Sequence, residues 1–125
     1  MGEKINSFTK LHAWQASHQL VLAIFSVCEP FHQYDVLRNQ IERSALSISS
    51  NIAEGFGRET INDKKHFYIM ARGSAYELQN QLLIAKDTNK ISKESFELLA
   101  NKSLNSIKLI HGLIRSINGG KHASS

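Results

Sequence analysis

The sequence predicts an all-α protein folded as an antiparallel, up-down-up-down four-helix bundle. Four separate stretches of roughly twenty residues each carry apolar residues at every third or fourth position, the spacing of an amphipathic helix. The links between them are short, and the 125 residues include a single Pro. A chain of this length forms one domain with a substantial core. We place the bundle at residues 10–117, with an N-terminal tail at 1–9 and a C-terminal tail at 118–125.

The first helix is predicted from about Lys10 to Cys28. Its apolar stripe repeats every three or four residues and consists of Leu11, Trp14, His18, Val21, Phe25 and Cys28. Pro30 ends it, because the residue before a proline avoids the α conformation. A second apolar stripe lies beside the first and consists of Leu20, Ile24 and Val27.

The second helix is predicted from about Asp35 to Phe56, with Gly55 and Gly57 ending it as glycine does beyond helix ends. Its apolar stripe is Ile41, Ala45, Ile48, Ile52 and Phe56. Beside it runs a stripe of small and polar residues, namely Gln40, Ser44, Ser47, Asn51, Glu54 and Arg58. Small residues let another helix approach, and buried polar groups need hydrogen-bond partners. This stripe indicates either a closely packed, internally satisfied helix pair or a recognition surface.

The third helix is predicted to begin at Asn62, a good N-cap, and to close near Asn89. Its inner seam is Phe67, Ala71, Ser74, Leu78, Leu82 and Ala85. We expect Gly73 and its small neighbours to form a smooth patch against the second helix. Within the resulting polar seam, Arg43 is predicted to pair with Glu77 or Glu54, while Asn51 and Ser74 satisfy nearby groups. A buried pair of this kind helps to specify one packing arrangement.

The fourth helix is predicted from the cap Ser92 to about Ile117, followed by Asn118 and Gly119. Its seam is Phe96, Ala100, Ser103, Ile107, Ile110, Ile114 and Ile117. A second set of apolar residues lies beside that seam and consists of Leu99, Leu104, Leu109 and Leu113. Since a monomeric bundle buries one face per helix, the additional faces of the first and fourth helices predict contact with other copies, as a ring-shaped homo-oligomer.

The sequence favours a protein without enzymatic activity, metal or cofactor. Its six His residues lack the spacing of metal ligands, and the chain has no pair of Cys residues. The single Cys28 lies on an apolar face and is expected to be a buried, inert thiol. The one Gly-x-Gly, at residues 55–57, follows a helix instead of a strand and so does not predict a nucleotide site.

Charge permits a nucleic-acid partner without requiring one. The formal net charge is +4 and the isoelectric point about 9.3. Arg58, Lys64 and Lys65 cluster around the link between the second and third helices, either as ordinary solvated charges or as an edge that contacts RNA or DNA phosphates. No base-reading motif accompanies them. No membrane span or signal peptide is visible, so we expect a cytoplasmic protein without a membrane partner.

The chain resembles the 23S rRNA intervening-sequence proteins over about Leu11 to Ile117. The matching residues stand in LHAW at 11–14, QIER at 40–43, NIAEGFGR at 51–58 and ARGSAYE at 71–77. The resemblance implies antiparallel four-helix bundles assembled as homopentamers, some of them encoded within insertions in ribosomal RNA genes. The chain is also similar to the accessory variability protein of diversity-generating retroelements, which implies a reverse transcriptase and nucleic acid as partners.

Two classes of function follow from these observations. The first is a non-enzymatic accessory protein that binds nucleic acid, RNA before DNA, through phosphate contacts on an oligomeric ring. Ribosomal RNA or a reverse transcriptase would then be a partner. The second is an oligomeric scaffold or protein-interaction module without a nucleic-acid role. A continuous basic surface favours the first class, and scattered or balanced charge favours the second.

Overall fold

The protein is a four-helix bundle, as the sequence predicts, in a computed structural model that describes residues 7–119. The helices are α1 at His12–Cys28, α2 at Val36–Phe56, α3 at Ile61–Asp87 and α4 at Lys93–Asn118. A short 3₁₀ helix, Phe8–Lys10, precedes them and packs on α1 and α2. Within residues 7–119 there is no β-strand. The predicted tails lie outside the described residues at 1–6 and 120–125, whereas residues 8–9 of the predicted N-terminal tail belong to the 3₁₀ helix and Asn118 belongs to α4.

Three of the helices begin at side-chain caps. The carboxylate of Asp35 accepts a hydrogen bond from the backbone N–H of Arg38 at 3.0 Å, and the hydroxyl of Ser92 accepts one from that of Ser95 at 3.0 Å. The cap of α3 is Thr60, whose hydroxyl accepts from the N–H of Asp63 at 3.1 Å. The prediction of Asn62 as that cap was wrong. Asn and Thr are both good caps, and position 60 is the one with extended backbone before the first turn.

The four helices occupy the corners of a square. α1 contacts α2 and α4, and α3 contacts the same two helices. In the described part of the chain, α1 does not touch α3 and α2 does not touch α4, so each of these pairs lies at opposite corners. The core between them is mostly apolar. Its largest fully buried side chains are Tyr68, Leu11, Leu20, Ile24, Ile41, Ile48, Ile52, Leu78, Leu82, Leu99, Ile110 and Leu113.

Several residues assigned to a second apolar surface belong to this core. Leu20, Ile24, Leu99 and Leu113 are fully buried, so they do not form an extra face for partners. Phe25, predicted to be inside, is 39% exposed. The predicted inner face of the first helix is therefore rotated about the helix axis relative to the face that is buried in the structure. Apolar residues cover more of the circumference of this helix than one stripe, so the periodicity of the sequence does not determine which part of that surface is buried.

Gly55 and Gly73 differ from their predicted roles, whereas Gly57 follows the end of α2 as predicted. Gly55 is buried within α2, and a Cβ there would lie 2.7 Å from Cε1 of Tyr68, so the glycine permits close packing of α3. Gly57 is the residue after the helix and keeps a helical φ of −78°. The prediction for Gly73 was wrong. It is exposed, and nothing lies within 4 Å of where its Cβ would be, so it faces away from α2.

Candidate functional site

Hydroxyl groups join α2 to α3 along the small, polar stripe. Ser47 and Ser74 share a hydrogen bond of 2.8 Å between their hydroxyls. The side-chain amide of Asn51 donates to the carbonyl oxygen of Ser47 at 2.8 Å and to its hydroxyl at 3.0 Å. One turn earlier, the buried hydroxyl of Ser44 donates to Oε1 of Glu77 at 3.0 Å. These bonds satisfy the polar stripe internally, as expected for Asn51 and Ser74.

The predicted ion pairs of that seam do not form. Arg43 is exposed, and among residues 7–119 no ion pair joins it to Glu77 or Glu54. Glu54 instead pairs with Arg58 at 3.2 Å, one turn along α2. Arg43 comes one residue before Ser44, and one residue rotates a helical position by about 100°, so the serine points at α3 and the arginine points outward.

The predicted basic cluster between α2 and α3 is largely engaged in local contacts. Besides its pairing with Glu54, Arg58 lies over the ring of Phe67 at 4.6 Å. The ammonium of Lys64 donates to the carbonyl oxygens of Phe56 at 2.6 Å and Gly55 at 3.4 Å, at the negative end of α2. Partial burial lowers the pKa of Lys64. Lys65 is half-buried beside them.

A basic row on α4 was missed by the sequence reasoning. Residues 98–125 contain four Lys or Arg and no Asp or Glu, so they carry the whole net charge of +4. Lys108, His111 and Arg115 follow at the spacing i, i+3, i+7, which puts them on one face of α4. Lys108 and Arg115 are exposed, and within residues 7–119 neither belongs to an ion pair. Counting charge segment by segment would have revealed this row.

The groove at the α3–α4 link also holds lysines, but two of them have partners. It has a volume of about 700 Å³ and is lined in part by Lys86, Lys90, Lys93 and Phe96. Lys90 forms an ion pair with Asp35, which lowers the pKa of that carboxyl. Lys86 lies 4.7 Å over the Phe96 ring. The contacts of Lys86 and Lys90 therefore attach the α3–α4 link to Phe96 and Asp35.

The described residues offer little for covalent or metal chemistry. Cys28 is 1% exposed, and burial raises the pKa of its thiol to about 11, which disfavours the nucleophilic thiolate. Within residues 7–119 no three His, Cys, Asp or Glu side chains lie together as a metal site. No helix in that range is both long and apolar enough to cross a membrane.

Comparison with known proteins identifies the family. A family model described as 23S rRNA-intervening sequence protein matches residues 9–112, which include the seam, the basic cluster and most of α4. The chain belongs to this family. The match confirms the resemblance found in the NIAEGFGR and ARGSAYE segments. No curated protein matches the sequence.

A solved structure of the same kind supports the fold. It is a protein of unknown function from the S23 ribosomal protein family of Bacteroides thetaiotaomicron. It is 24% identical in sequence, with a TM-score of 0.76, over 82% of this chain and 98% of that one. At this identity the likeness shows a shared fold.

Proposed function

We propose that the protein is a non-enzymatic accessory protein that binds nucleic acid, RNA in the first instance, through phosphate contacts on a ring-shaped homo-oligomer. The single observation that carries the proposal is the basic row of α4, formed by Lys108, His111 and Arg115. The exposed cations Lys108 and Arg115 share one helix face with the partly buried His111, and no acidic residue follows Glu97 in the sequence. Such a face attracts phosphates and lacks the carboxylates that would repel them.

The spacing of the row suits a polyphosphate. Lys108 and Arg115 are two helical turns apart, about 10.5 Å along the axis. Phosphates follow one another every 3.4 Å or so along each strand of a duplex, so both cations can contact one strand at once. The other predicted contacts are weaker candidates, because Arg58 and Lys64 already have partners of opposite charge or carbonyl oxygens.

Assembly would multiply these contacts. We propose antiparallel helices in each copy, since the partners of Ser44 and Ser47 on α3, Glu77 and Ser74, descend in number as α2 ascends. We also propose a pentameric ring, from the family resemblance. Five basic rows on one particle act together through effective concentration, so weak single contacts add to useful affinity. Ribosomal RNA, or RNA handled by a reverse transcriptase, fits such a surface.

An oligomeric scaffold without nucleic acid is the second candidate. It is favoured by the exposed apolar residues outside α4, of which Leu22, Ile69, Tyr76 and Leu83 are each at least 39% exposed. Exposed apolar groups of this kind suit protein contacts. The two candidates share the ring and differ in whether the basic row binds phosphate.

Titration of fluorescent RNA and DNA at several salt concentrations tests the proposal. Wild type should bind with little sequence preference and with affinity that falls steeply with salt. Lys108→Ala with Arg115→Ala should flatten the slope of log affinity against log salt by about 1.4 for single strands, at about 0.7 per lost contact.

The matched control is Arg58→Ala with Lys65→Ala, which removes the same charge next to the α2–α3 link. It should change the slope far less, because Arg58 is paired with Glu54. A larger effect of the control would locate the interface at that link instead. Absence of binding by the wild-type oligomer at low salt would favour the scaffold.

A further inference from the structure

Two side-chain contacts identify the flank of α3 that packs against α4. The side-chain amide of Gln79 donates to the hydroxyl of Ser103 at 3.2 Å. The ammonium of Lys86 lies 4.7 Å over the ring of Phe96. Gln79 and Lys86 are seven residues apart, close to two turns of α3, so they lie on one flank of the helix. Arg72 comes seven residues before Gln79 and therefore lies on the same flank, towards α4.

The same two contacts give the register of α3 on α4. Seven residues later on α3 corresponds to seven residues earlier on α4, as in the antiparallel packing proposed above. In this register Arg72 is level with Ile110, beside His111. Lys108 is level with the point midway between Arg72 and Tyr76. Arg72 and the basic row of α4 are therefore at the same height on two adjacent helices.

Arg72 is a half-buried cation that lacks a carboxylate partner. Within residues 7–119 it belongs to no ion pair. The nearest carboxylate along α3, that of Glu77, is bound to Ser44 of α2, and no acidic residue follows Glu97 on α4. Cations that are close together and unpaired repel one another, and a bound polyanion removes this cost. Phosphates are the anions that such a surface suits.

An exposed aromatic ring lies beside Arg72. Tyr76 is 52% exposed and follows Arg72 by four residues, so the two side chains are neighbours on the surface of α3. A positive groove with an aromatic ring is the composition of sites for single strands, in which unpaired bases stack on the ring. In a duplex the bases present their edges in the grooves. Tyr76 can therefore stack only on a base that is unpaired.

We propose that the face formed by α3 and α4 binds single-stranded nucleic acid, with Arg72 and the basic row of α4 on the phosphates and the ring of Tyr76 stacked on an unpaired base. This inference rests on the nucleic-acid binding proposed above and specifies the form of nucleic acid that is bound. Arg72 and Tyr76 are about 6 Å apart along the helix axis. A phosphate on the arginine and a base on the tyrosine can therefore belong to neighbouring nucleotides.

Titration of the full-length protein with a labelled, unstructured RNA single strand and with an RNA duplex of the same length tests the proposal. The single strand should bind more tightly than the duplex at the same salt concentration. Tyr76→Ala should weaken single-strand binding by about 5- to 150-fold, the effect of losing one stacked base. It should leave the salt dependence and the duplex affinity unchanged. Tyr76→Phe keeps the ring and should bind like wild type.

Arg72→Ala should act differently, because it removes a charge. It should flatten the slope of log affinity against log salt by about 0.7 for the single strand. Each variant has a matched control. Tyr34→Ala removes a ring that is 75% exposed in the α1–α2 link. Arg43→Ala removes an exposed cation on α2, the helix at the corner opposite α4. Both controls should leave binding unchanged.

Three results would overturn the proposal. Equal affinity for single strand and duplex, with no effect of Tyr76→Ala, would exclude this groove and leave the nucleic-acid function standing. Absence of binding to either RNA at low salt would overturn both. Loss of the wild-type oligomeric mass in Tyr76→Ala by light scattering would place the ring between copies instead of on a base. Circular dichroism should show intact helices, and Tyr76→Gln replaces Tyr76→Ala if helical signal is lost.

Discussion

Gly55 is the position at which this fold tolerates a side chain least. The residue is buried in the last turns of α2, where a Cβ would lie 2.7 Å from Cε1 of Tyr68 and 3.0 Å from Cβ of Phe67. Tyr68 is itself only 2% exposed, and close-packed surroundings prevent its ring from moving aside. Glycine at this position therefore allows α3 to approach α2.

Gly55→Ala should lower the free energy of unfolding by about 1–3 kcal/mol, the usual cost of overpacking. Gly112→Ala is the matched control in α4, because its new Cβ would meet an Arg115 nitrogen at an ordinary 3.8 Å. The control should gain up to about 1 kcal/mol from helix propensity. Urea denaturation of both variants measures the difference, and a similar gain for both would contradict the packing argument.

The sequence correctly places Gly55 near the end of α2, but the predicted role of this glycine, ending the helix, is wrong. Glycine near a helix end predicts a terminating conformation from local rules. The actual reason is Tyr68, which lies on the next helix. Rules that concern a single helix end cannot predict a contact between two helices. Tyr68 was also absent from the predicted inner seam of α3, although it is among the largest buried side chains.

Along α2 and α3, the hydrogen bond of Ser44 to Glu77 replaces the expected Arg43 pair. Ser44→Ala or Glu77→Ala should each cost about 1–2 kcal/mol, as for a hydrogen bond to a charged group in a partly exposed place. Their effects should not add. A double-mutant cycle should give a coupling of about 0.5–1.5 kcal/mol.

Glu94→Ala, in the first turn of α4, is the comparison for this cycle and should cost about 0.5 kcal/mol or less. Thermal or urea unfolding followed by circular dichroism gives all four values. Additive losses from Ser44→Ala and Glu77→Ala would show that the hydroxyl and the carboxylate do not interact in solution.

Lys64 acts as a helix cap for α2. Its ammonium donates to the carbonyl oxygens of Phe56 at 2.6 Å and Gly55 at 3.4 Å, in the last turn of the helix. The Gly55 oxygen also accepts from the backbone N–H of Arg58 at 3.1 Å. Lys64→Ala should lower the free energy of unfolding by about 1 kcal/mol. Lys65→Ala, next in sequence, should change it by less than about 0.5 kcal/mol. Equal effects in urea unfolding would mean that the Lys64 contacts contribute nothing to stability.

The sequence predicts the helices and the packing of α2 on α3 well, but it predicts individual side-chain partners poorly. The first helix was predicted from Lys10 and begins at His12, and the second was predicted from Asp35 and begins at Val36. Periodicity and caps are local, so they can be found in a single sequence. Pairing depends on rotation about each helix axis, where one residue changes the direction by about 100°. The contact with Glu77 was predicted for Arg43, whereas the neighbouring residue Ser44 makes it.

The candidate basic site also depends on contacts that neighbouring positions in the sequence do not predict. The sequence draws attention to Arg58, Lys64 and Lys65 because they are close together along the chain. The structure gives Arg58 and Lys64 local partners, whereas within residues 7–119 Lys108 and Arg115 on α4 form no ion pair. The basic row could be predicted by combining two properties of the sequence. These are the helical spacing of Lys108 and Arg115 and the lack of acidic residues after Glu97.

The square arrangement of the helices also governs how fast the chain can fold. Three of the four helix contacts join neighbours along the chain, and only α1 with α4 brings distant segments together. Short loops close at low entropic cost, and bundles rich in local contacts fold in microseconds to milliseconds.

Trp14, stacked on His18 at 4.7 Å, is the only Trp and reports the folding of the bundle by fluorescence. Stopped-flow refolding should give a phase of about a few milliseconds or less that is independent of concentration, followed by a slower one that accelerates with protein concentration. A single slow phase at all concentrations would mean that the chain cannot close its bundle before meeting another copy.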